Sequence, residues 1–560
     1  MPRRPLLAAV SALSAVVLGA TLSACGGTAA SVAGGATPES TAPPVLGGKP
    51  TQGGTIVYGH QQEPPCLSGG WVEQAYISRQ VLDSLVAQDE GGKIVPWLAT
   101  SWKASADQKS WTFTLKPGVK FTDGTSFDAQ AVVDNFKTWL NPKTLNGTVF
   151  SYIGEYYKSS RAIDDHTFEL QLTKPYSPLL SALSQGYFGI HSPKQLAKGP
   201  TVNCTNIVGT GAWIEDKWDR GQQVTFHRNP EYDSAPANAQ HQGPAYADKL
   251  VWKFLKEPAV RWGSLTSGET QVVYDVPSVD WNEASTKYRV VKYTTPGRPQ
   301  TLSLNVTHPP FDDVRVRQAL AYALDRKAAV ESAFGQSAEY NGNGSLSQST
   351  PDYDASLADA YTYDPDKANR LLDEAGWTGR AKDRTRTKDG KELTVRVTYG
   401  PGSIINEDGV TLLQTLQQQA KKVGFKWKLI PLTLTQLFGG EYSAPDKYDA
   451  EPGYWTSPTA GVLYIVWRQN LKDRPNGNNT SYYNNPELEK TIGDANSTLD
   501  PAEQKALYAK AQKIISDQAV AIGLYTRTSS LAVDTNKLRG VWLEDSQGEP
   551  VFSDAYLVKP

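Results

Sequence analysis

The chain has 560 residues, with 56 Lys+Arg against 58 Asp+Glu for a net charge of −2, and only three cysteines. That length suffices for two or three lobes with real cores, and the balanced charge offers no basic field to hold nucleic acid. The six histidines (60, 166, 191, 227, 241, 308) are dispersed, and no His-Glu-x-x-His, Gly-x-Ser-x-Gly, Ser-x-x-Lys or Cys-x-x-Cys occurs. Zinc, serine and dithiol chemistry are therefore not suggested, and enzyme activity is not expected.

The N-terminus reads Met1-Pro2-Arg3-Arg4-Pro5, followed by an uncharged stretch from Leu6 to Ala24. A short basic region before an apolar run is the layout of an export signal. Leu22-Ser23-Ala24-Cys25 resembles the bacterial lipobox, which implies that residues 1–24 are a signal peptide and that Cys25 carries the lipid. Two or more acyl chains hold a protein stably on a bilayer, so the protein is expected on the outer face of the cell membrane. Residues 25–50, rich in Gly, Ala, Thr and Pro, read as a tether with a reach of about 25–30 Å. Outside the cytosol Cys66 and Cys204 form a candidate disulfide, the alternative being two free thiols.

Thr55 to Tyr58 is a β-branched and aromatic run that predicts a strand. Residues 73–88 place Ile77, Val81, Leu82 and Leu85 at helical spacing. Trp111, Phe113 and Leu115 alternate as in a strand, and a capped helix follows over about Ala129 to Leu140. Further strands are expected in 165–172, in "QVTFHRNPEY" and in "KLVWKFL". Residues 311–335 predict a single helix, capped by Asp312 or Asp313, with the stripe Ala319, Leu320, Ala323 and Leu324, ending at Gly335. Arg315 and Arg317 are expected on its solvated face. Residues 393–432 read as a βαβ unit, and 500–518 as a helix burying Leu507, Ala511, Ile514 and Ile515. "VAIGLYTRTSSLAV" is strand-like. Strands and helices mixed in no strict order suggest an α/β protein with mixed sheets.

Four stretches, in order, resemble one family. They are "PWLATSWKASADQKSWTFTLKPGVKFTDGTSFDAQAVV", "VGTGAWIEDKWDRGQQVTFHRNPEY", "FDDVRVRQALAYALDR" and "NPELEKTIGDANSTLDPAEQKALYAKAQKII". The resemblance is to the extracellular solute-binding proteins of ABC importers, the peptide/nickel/oligosaccharide type, family 5. It covers about 54–535, with Ala212 in place of the usual Pro of the Gly-Thr-Gly segment. The resemblance implies a two-lobe clamshell with an extra subdomain in the first lobe. Lobe I would comprise 51–93, 205–297 and 523–560, the subdomain 94–204 and lobe II 298–522. It implies no cofactor, a monomer, and two kinds of partner: a small solute enclosed by hinge closure and the transmembrane subunits of a permease; the dispersed histidines give no metal site, although nickel-type relatives bind a metal complex.

The resemblance also directs attention to "KYDAEPGYWTSPTAG". Peptide-binding relatives carry Trp-x-x-Asp here, whose carboxylate holds a peptide's α-ammonium; this chain has Trp455 but Pro458. Glu441, Asp449, Glu451 and Glu63 are the candidate substitutes. The ligand-binding candidates are Trp455, Tyr454 and Thr456, with Glu63 after the first strand, Trp213 after Gly-Thr-Gly, Arg298 at the first crossing and Tyr399 at a strand end. A peptide-like solute is expected. An oligosaccharide stacked on Tyr454 and Trp455 is the alternative, and a secreted hydrolase the distant one.

Overall fold

The structure is a computed structural model that describes residues 49–68, 72–141, 147–402, 404–438, 440–442 and 444–558. The expected signal, Cys25 and nearly all of the expected tether lie outside the described residues. In chain order the elements that matter begin with β1 (Thr55–His60), α1 (Val72–Ser78), β2 (Ala99–Ala104), β3 (Ser110–Leu115) and α2 (Ala129–Leu140). They continue with β4 (Tyr157–Asp164), β5 (Thr167–Leu172), β6 (Trp213–Asp219), β7 (Gln223–Arg228), β8 (Lys249–Phe254), β9 (Val272–Tyr274) and β10 (Arg289–Thr294). Next come β11 (Gly297–Leu304), α3 (Val314–Ala323), α4 (Arg326–Phe334), β12 (Glu339–Tyr340), β13 (Thr394–Tyr399), α5 (Glu407–Lys422) and β14 (Lys426–Pro431). The last are β15 (Ala450–Thr456), α6 (Val462–Trp467), α7 (Pro486–Ser497), α8 (Pro501–Asp517), β16 (Ala521–Thr526) and β17 (Thr528–Val533).

Three sheets carry the architecture. A seven-stranded sheet runs β10-β17-β9-β1-β8-β7-β6, a six-stranded sheet β12-β16-β11-β15-β13-β14, and a four-stranded sheet β2-β3-β5-β4. Both larger sheets are mixed: β1 is parallel to β8 and β9, and β13 is parallel to β14, while β11 is antiparallel to β15 and β16. The β13-α5-β14 unit is the βαβ expected over 393–432. One face of the six-stranded sheet buries Leu302, Leu304, Val395 and Val397 against α3, α4 and α5. The four-stranded sheet shares its core with α6, α7 and α8, where Phe136 and Phe168 join one apolar cluster with Trp467, Leu488 and Ile515.

Helix α2 matches its expected bounds, because Asp128 accepts a hydrogen bond from Ala131 N at 2.8 Å and caps it. Two helix expectations need correction. The helix expected over 73–88 ends at Ser78, since the carbonyls of Gln80 and Val81 accept from Trp213 N at 3.1 Å and Gly211 N at 2.8 Å. A distant strand takes acceptors that a longer helix would have used. The helix expected over 311–335 is two: Leu324 ends α3, and Asp325 caps α4 by accepting from Ala328 N. Arg317 is buried and donates to Phe311 O at 2.6 Å and Gln518 O at 2.8 Å, whereas Arg315 is the exposed ion-pairing residue expected.

Candidate functional site

The chain leaves the seven-stranded sheet after Thr294, enters the six-stranded sheet at Gly297, and returns between Thr526 and Thr528. The two connections touch: Thr295 N donates to Arg527 O at 2.9 Å. Gly297 is needed at the first one. Its φ is +106°, and a Cβ there would lie 2.2 Å from Trp455 O, a place only glycine can occupy.

Beside these connections lies a small recess lined by Gln61, Asp275, Asn406, Asp408, Tyr525 and Arg527 among others. Gln61 follows β1, Asp275 follows β9, Asn406 caps α5 after β13, Tyr525 lies near the end of β16 and Arg527 in the second connection. Open α/β sheets place ligands outside the carboxyl ends of their strands, and two sheets present such ends here. The walls are polar. Asp408 accepts from Ser278 Oγ at 3.0 Å, and burial pushes its carboxyl up to about 6. The Arg527 guanidinium lies 4.5 Å from the centre of the Tyr454 ring.

Buried groups next to the recess lack partners. Gln300, which pairs with Tyr525 across the sheet, is 0 % exposed, and neither atom of its amide has a hydrogen bond. Gln62 is buried in the same condition, and so is Nε2 of His60, whose imidazole burial holds neutral by lowering its pKa to about 3. An orphaned buried polar group costs about 1–3 kcal/mol, and these are the groups beside the recess that the protein itself leaves unsatisfied.

Tyr454, Trp455 and Thr456 end β15. The Trp455 indole donates to Tyr152 Oη at 3.1 Å, and Tyr152 Oη donates to Thr456 O at 2.9 Å. Arg298 lies opposite Trp455 on β11. Its Nε and Nη2 reach Thr301 Oγ1 at 2.9 and 2.8 Å, and Nη2 reaches Ser303 Oγ at 2.6 Å. Glu451 sits opposite Ser303, on the same face as Gly453 and Trp455 by strand alternation. Burial lowers Arg298 to about 10 and raises Glu451 to about 7, each charge partly offsetting the other's shift.

Three other candidates are placed elsewhere. The Glu63 carboxylate accepts from Trp218 Nε1 at 3.0 Å and Gly221 N at 2.9 Å, so it clamps the β6–β7 turn and does not face the recess. Trp213 is 1 % exposed and belongs to the core of the seven-stranded sheet. The Gly209-Thr210-Gly211 segment ahead of it packs on the Val81 backbone, which turns the indole inward. Tyr399 is buried against Ile405 and Leu413. Asp449, a candidate substitute anchor, is already committed to His308 Nε2 at 2.8 Å and Arg396 Nη2 at 2.7 Å. Cys66 and Cys204 are bridged, with Cα atoms 4.6 Å apart, which ties the loop after β1 to the segment before Gly209. Sequence reasoning missed Gln62, Gln300, Arg527 and Tyr152, which have no local pattern and become partners only when the sheets meet. Among the described residues no group of three or more His, Cys, Asp or Glu side chains could hold a metal ion.

Residues 93–513 match the family model "Bacterial extracellular solute-binding proteins, family 5 Middle". The chain belongs to this family. It is 24 % identical over 508 residues to the nickel-binding periplasmic protein of Escherichia coli K12, covering 87 % of this chain and 91 % of that one. It is 26 % identical over 499 residues to the glutathione-binding protein GsiB of Salmonella typhi, covering 86 % and 90 %. Among solved structures, the oligopeptide-binding protein AppA of Bacillus subtilis in complex with a nonapeptide superposes with a TM-score of 0.77 at 23 % identity, over 91 % of this chain and 100 % of that one. The fold of this family-5 protein is thus the two-lobe α/β clamshell with mixed sheets. Among the described residues no helix is long and apolar enough to cross a membrane.

Proposed function

We propose that this family-5 protein captures a peptide-like solute between its lobes by hinge closure and hands it to the transmembrane subunits of an ABC permease for import. In this reading the seven-stranded sheet belongs to lobe I, built from 51–93, 205–297 and 523–560. The four-stranded sheet belongs to the subdomain 94–204, and the six-stranded sheet to lobe II, 298–522, except that its strand β16 runs on to Thr526, which moves the second crossing from 523 to 526–528. Lipid on Cys25 keeps a monomeric binder on the outer face of the membrane, within reach of its permease. The observation that carries the reading is the recess where both sheets meet, flanked by Gln62 and Gln300 with unpartnered amides. A binder needs polar contacts of that kind and no reacting group, so no catalysis is assigned.

A peptide-like solute is favoured over an oligosaccharide because the Tyr454 ring, one of the two aromatics suited to stack on a sugar, already has the Arg527 guanidinium over it. Native mass spectrometry of the purified protein, before and after mild denaturation, tests this. A released mass series spaced by amino-acid residues is expected. Spacing by hexose or pentose units overturns the peptide reading and leaves the solute-binding reading standing.

A further inference from the structure

In the lobe reading above, the subdomain 94–204 leaves lobe I and returns to it, and the Cys66–Cys204 bridge ties its end to the loop after β1. It also bears on lobe II along a seam of its own. The Glu155 carboxylate, just past the helix Gly147–Ile153, accepts from Tyr464 Oη at 2.6 Å on α6. It pairs as well with Arg468 Nη1 at 3.0 Å and Arg474 Nη1 at 3.6 Å. Lys174 of the subdomain lies 4.8 Å from the centre of the Tyr156 ring and 5.8 Å from that of Tyr464. Asn496, at the end of α7, is 1 % exposed and has both ends of its amide engaged. Its Nδ2 donates to Tyr156 Oη at 3.1 Å, and its Oδ1 accepts from Tyr508 Oη at 2.5 Å. Its main-chain carbonyl accepts from Ser177 N at 2.8 Å. Gly461 lets Pro178 close in, since a Cβ there would lie 2.9 Å from Pro178 Cγ. Leu179 and Leu183 of the subdomain share one apolar cluster with Val462, Leu463 and Ile492 of lobe II. By contrast, the apolar clusters of the seven-stranded sheet contain no described residue of 298–522. Apart from the connections, that sheet's side meets lobe II where Ser278 Oγ donates to Asp408 at 3.0 Å.

We infer that the subdomain is a clasp, which holds lobe II against lobe I through bonds that the solute does not make. The inference rests on the hinge-closure reading and gives the subdomain a function within it. Glu155, Ser177 and Asn496 line no part of the recess beside the connections, so the seam can form whether or not the recess is filled. Its mixture of ion pairs, hydroxyls and apolar side chains is the make-up of an interface that is made and unmade, more polar than a permanent one. Opening turns on the two connections, and it must part the seam, exposing the shared apolar cluster and handing the Asn496 amide and the Tyr156 and Tyr508 hydroxyls to water. Two consequences follow from this geometry. The closed form persists without solute, and an enclosed solute leaves at the rate at which the clasp parts. Tyr152, which accepts from Trp455 Nε1 and donates to Thr456 O, belongs to the same seam and brings it to the candidate site.

The test uses the full-length protein, as purified and after mild denaturation and refolding with its disulfide intact to remove any solute. The radius of gyration from small-angle X-ray scattering reads the opening of the lobes. Amide hydrogen exchange reads the clasp at Ser177, whose N–H crosses the seam, with Thr295, whose N–H joins the two connections, as the reference. The solute-free wild type is expected to be as compact as the purified protein, with Ser177 protected. Glu155→Gln and Arg468→Met, which weaken the seam and touch no residue of the recess, should each raise the radius of gyration. Each should also speed exchange at Ser177 by about tenfold while leaving Thr295 unchanged. A solute-free wild type as expanded as the variants, beside a compact purified protein, overturns the clasp and leaves hinge closure standing. Variants as compact as the wild type, with Ser177 equally protected, also overturn the clasp. So does faster exchange at Ser177 and Thr295 alike, the mark of a fold loosened throughout. One radius of gyration in every variant, as purified and solute-free, with Ser177 and Thr295 exchanging together, overturns hinge closure as well.

Discussion

Arg79 and Arg298 are each 7 % exposed, but their surroundings treat the charge in opposite ways. Arg79, just after α1, donates to Glu549 Oε2 at 2.6 Å, Ser84 Oγ at 2.9 Å and Ser184 O at 2.8 Å, and lies over the Trp97 ring at 4.7 Å. Every side of that guanidinium is occupied, and the acid beside it is fully buried. Arg298, on β11, has hydroxyls on one side and an empty edge on the other. The first arrangement ties distant segments of the chain together through a matched charge. The second holds the charge on hydroxyls alone and leaves Nη1 without a described partner.

Four measurements would break or sharpen that contrast. Arg79→Met leaves Glu549 and Glu544 buried without their cation and should lower stability by about 3–5 kcal/mol at pH 8. Burial already holds both carboxyls above the ordinary range, so the loss should shrink toward pH 5 as they take up protons. A loss of the same size at both pH values would mean that Arg79 acts by packing alone. The denaturant midpoint reads it.

Thr301→Val deletes two of the three bonds to Arg298 and should cost about 1–2 kcal/mol. Glu451→Gln tests the other charge. Its folded pKa of about 7 lies above the ordinary carboxyl value, so the folded state binds the proton more tightly. The stability this group contributes is present below about pH 4 and is lost as pH rises to about 7. Glu451→Gln should therefore match the wild type at pH 4 and exceed it by about 1–2 kcal/mol at pH 8, and a parallel pair of pH profiles would contradict the assignment. Arg298→Met should have the smallest effect, within about 1 kcal/mol without ligand. Removing an unpaired charge costs less than removing its supports, so a loss near that of Arg79→Met would mean Arg298 is structural after all.

The architecture was legible where local signals and packing agreed. Helix α2 with its Asp128 cap, the β13-α5-β14 unit and helix α8 lie where periodicity and capping residues put them. The 73–88 and 311–335 regions departed because their outcome was decided elsewhere, by β6 claiming carbonyls and by Asp325 starting a new helix. The candidate site was half legible. Arg298 and Trp455, far apart in sequence, end opposite each other on paired strands, which the family motifs hinted at. Glu63 and Trp213 carry suitable chemistry in suitable places along the chain, but a hairpin turn and a core consume them. Which polar groups remain unpaired, such as Gln300, is settled only when every neighbour has chosen its partner, and no stretch of sequence contains that information.

The two connections between the larger sheets form a single ribbon. Strands β10 and β17 pair on one side of it, β11 and β16 on the other, and Thr295 N to Arg527 O continues the ladder between them. A ribbon two strands wide bends and twists easily but resists sliding, because sliding would break its rungs in turn. Any change in angle between the sheets must therefore be absorbed within a few residues, at Thr295 and Pro296 on one strand and Arg527 on the other. Between the two larger sheets the ribbon is, in effect, one joint with one angle. In the proposed reading, a permease that sensed that angle would learn whether the jaws are shut without ever touching what they hold.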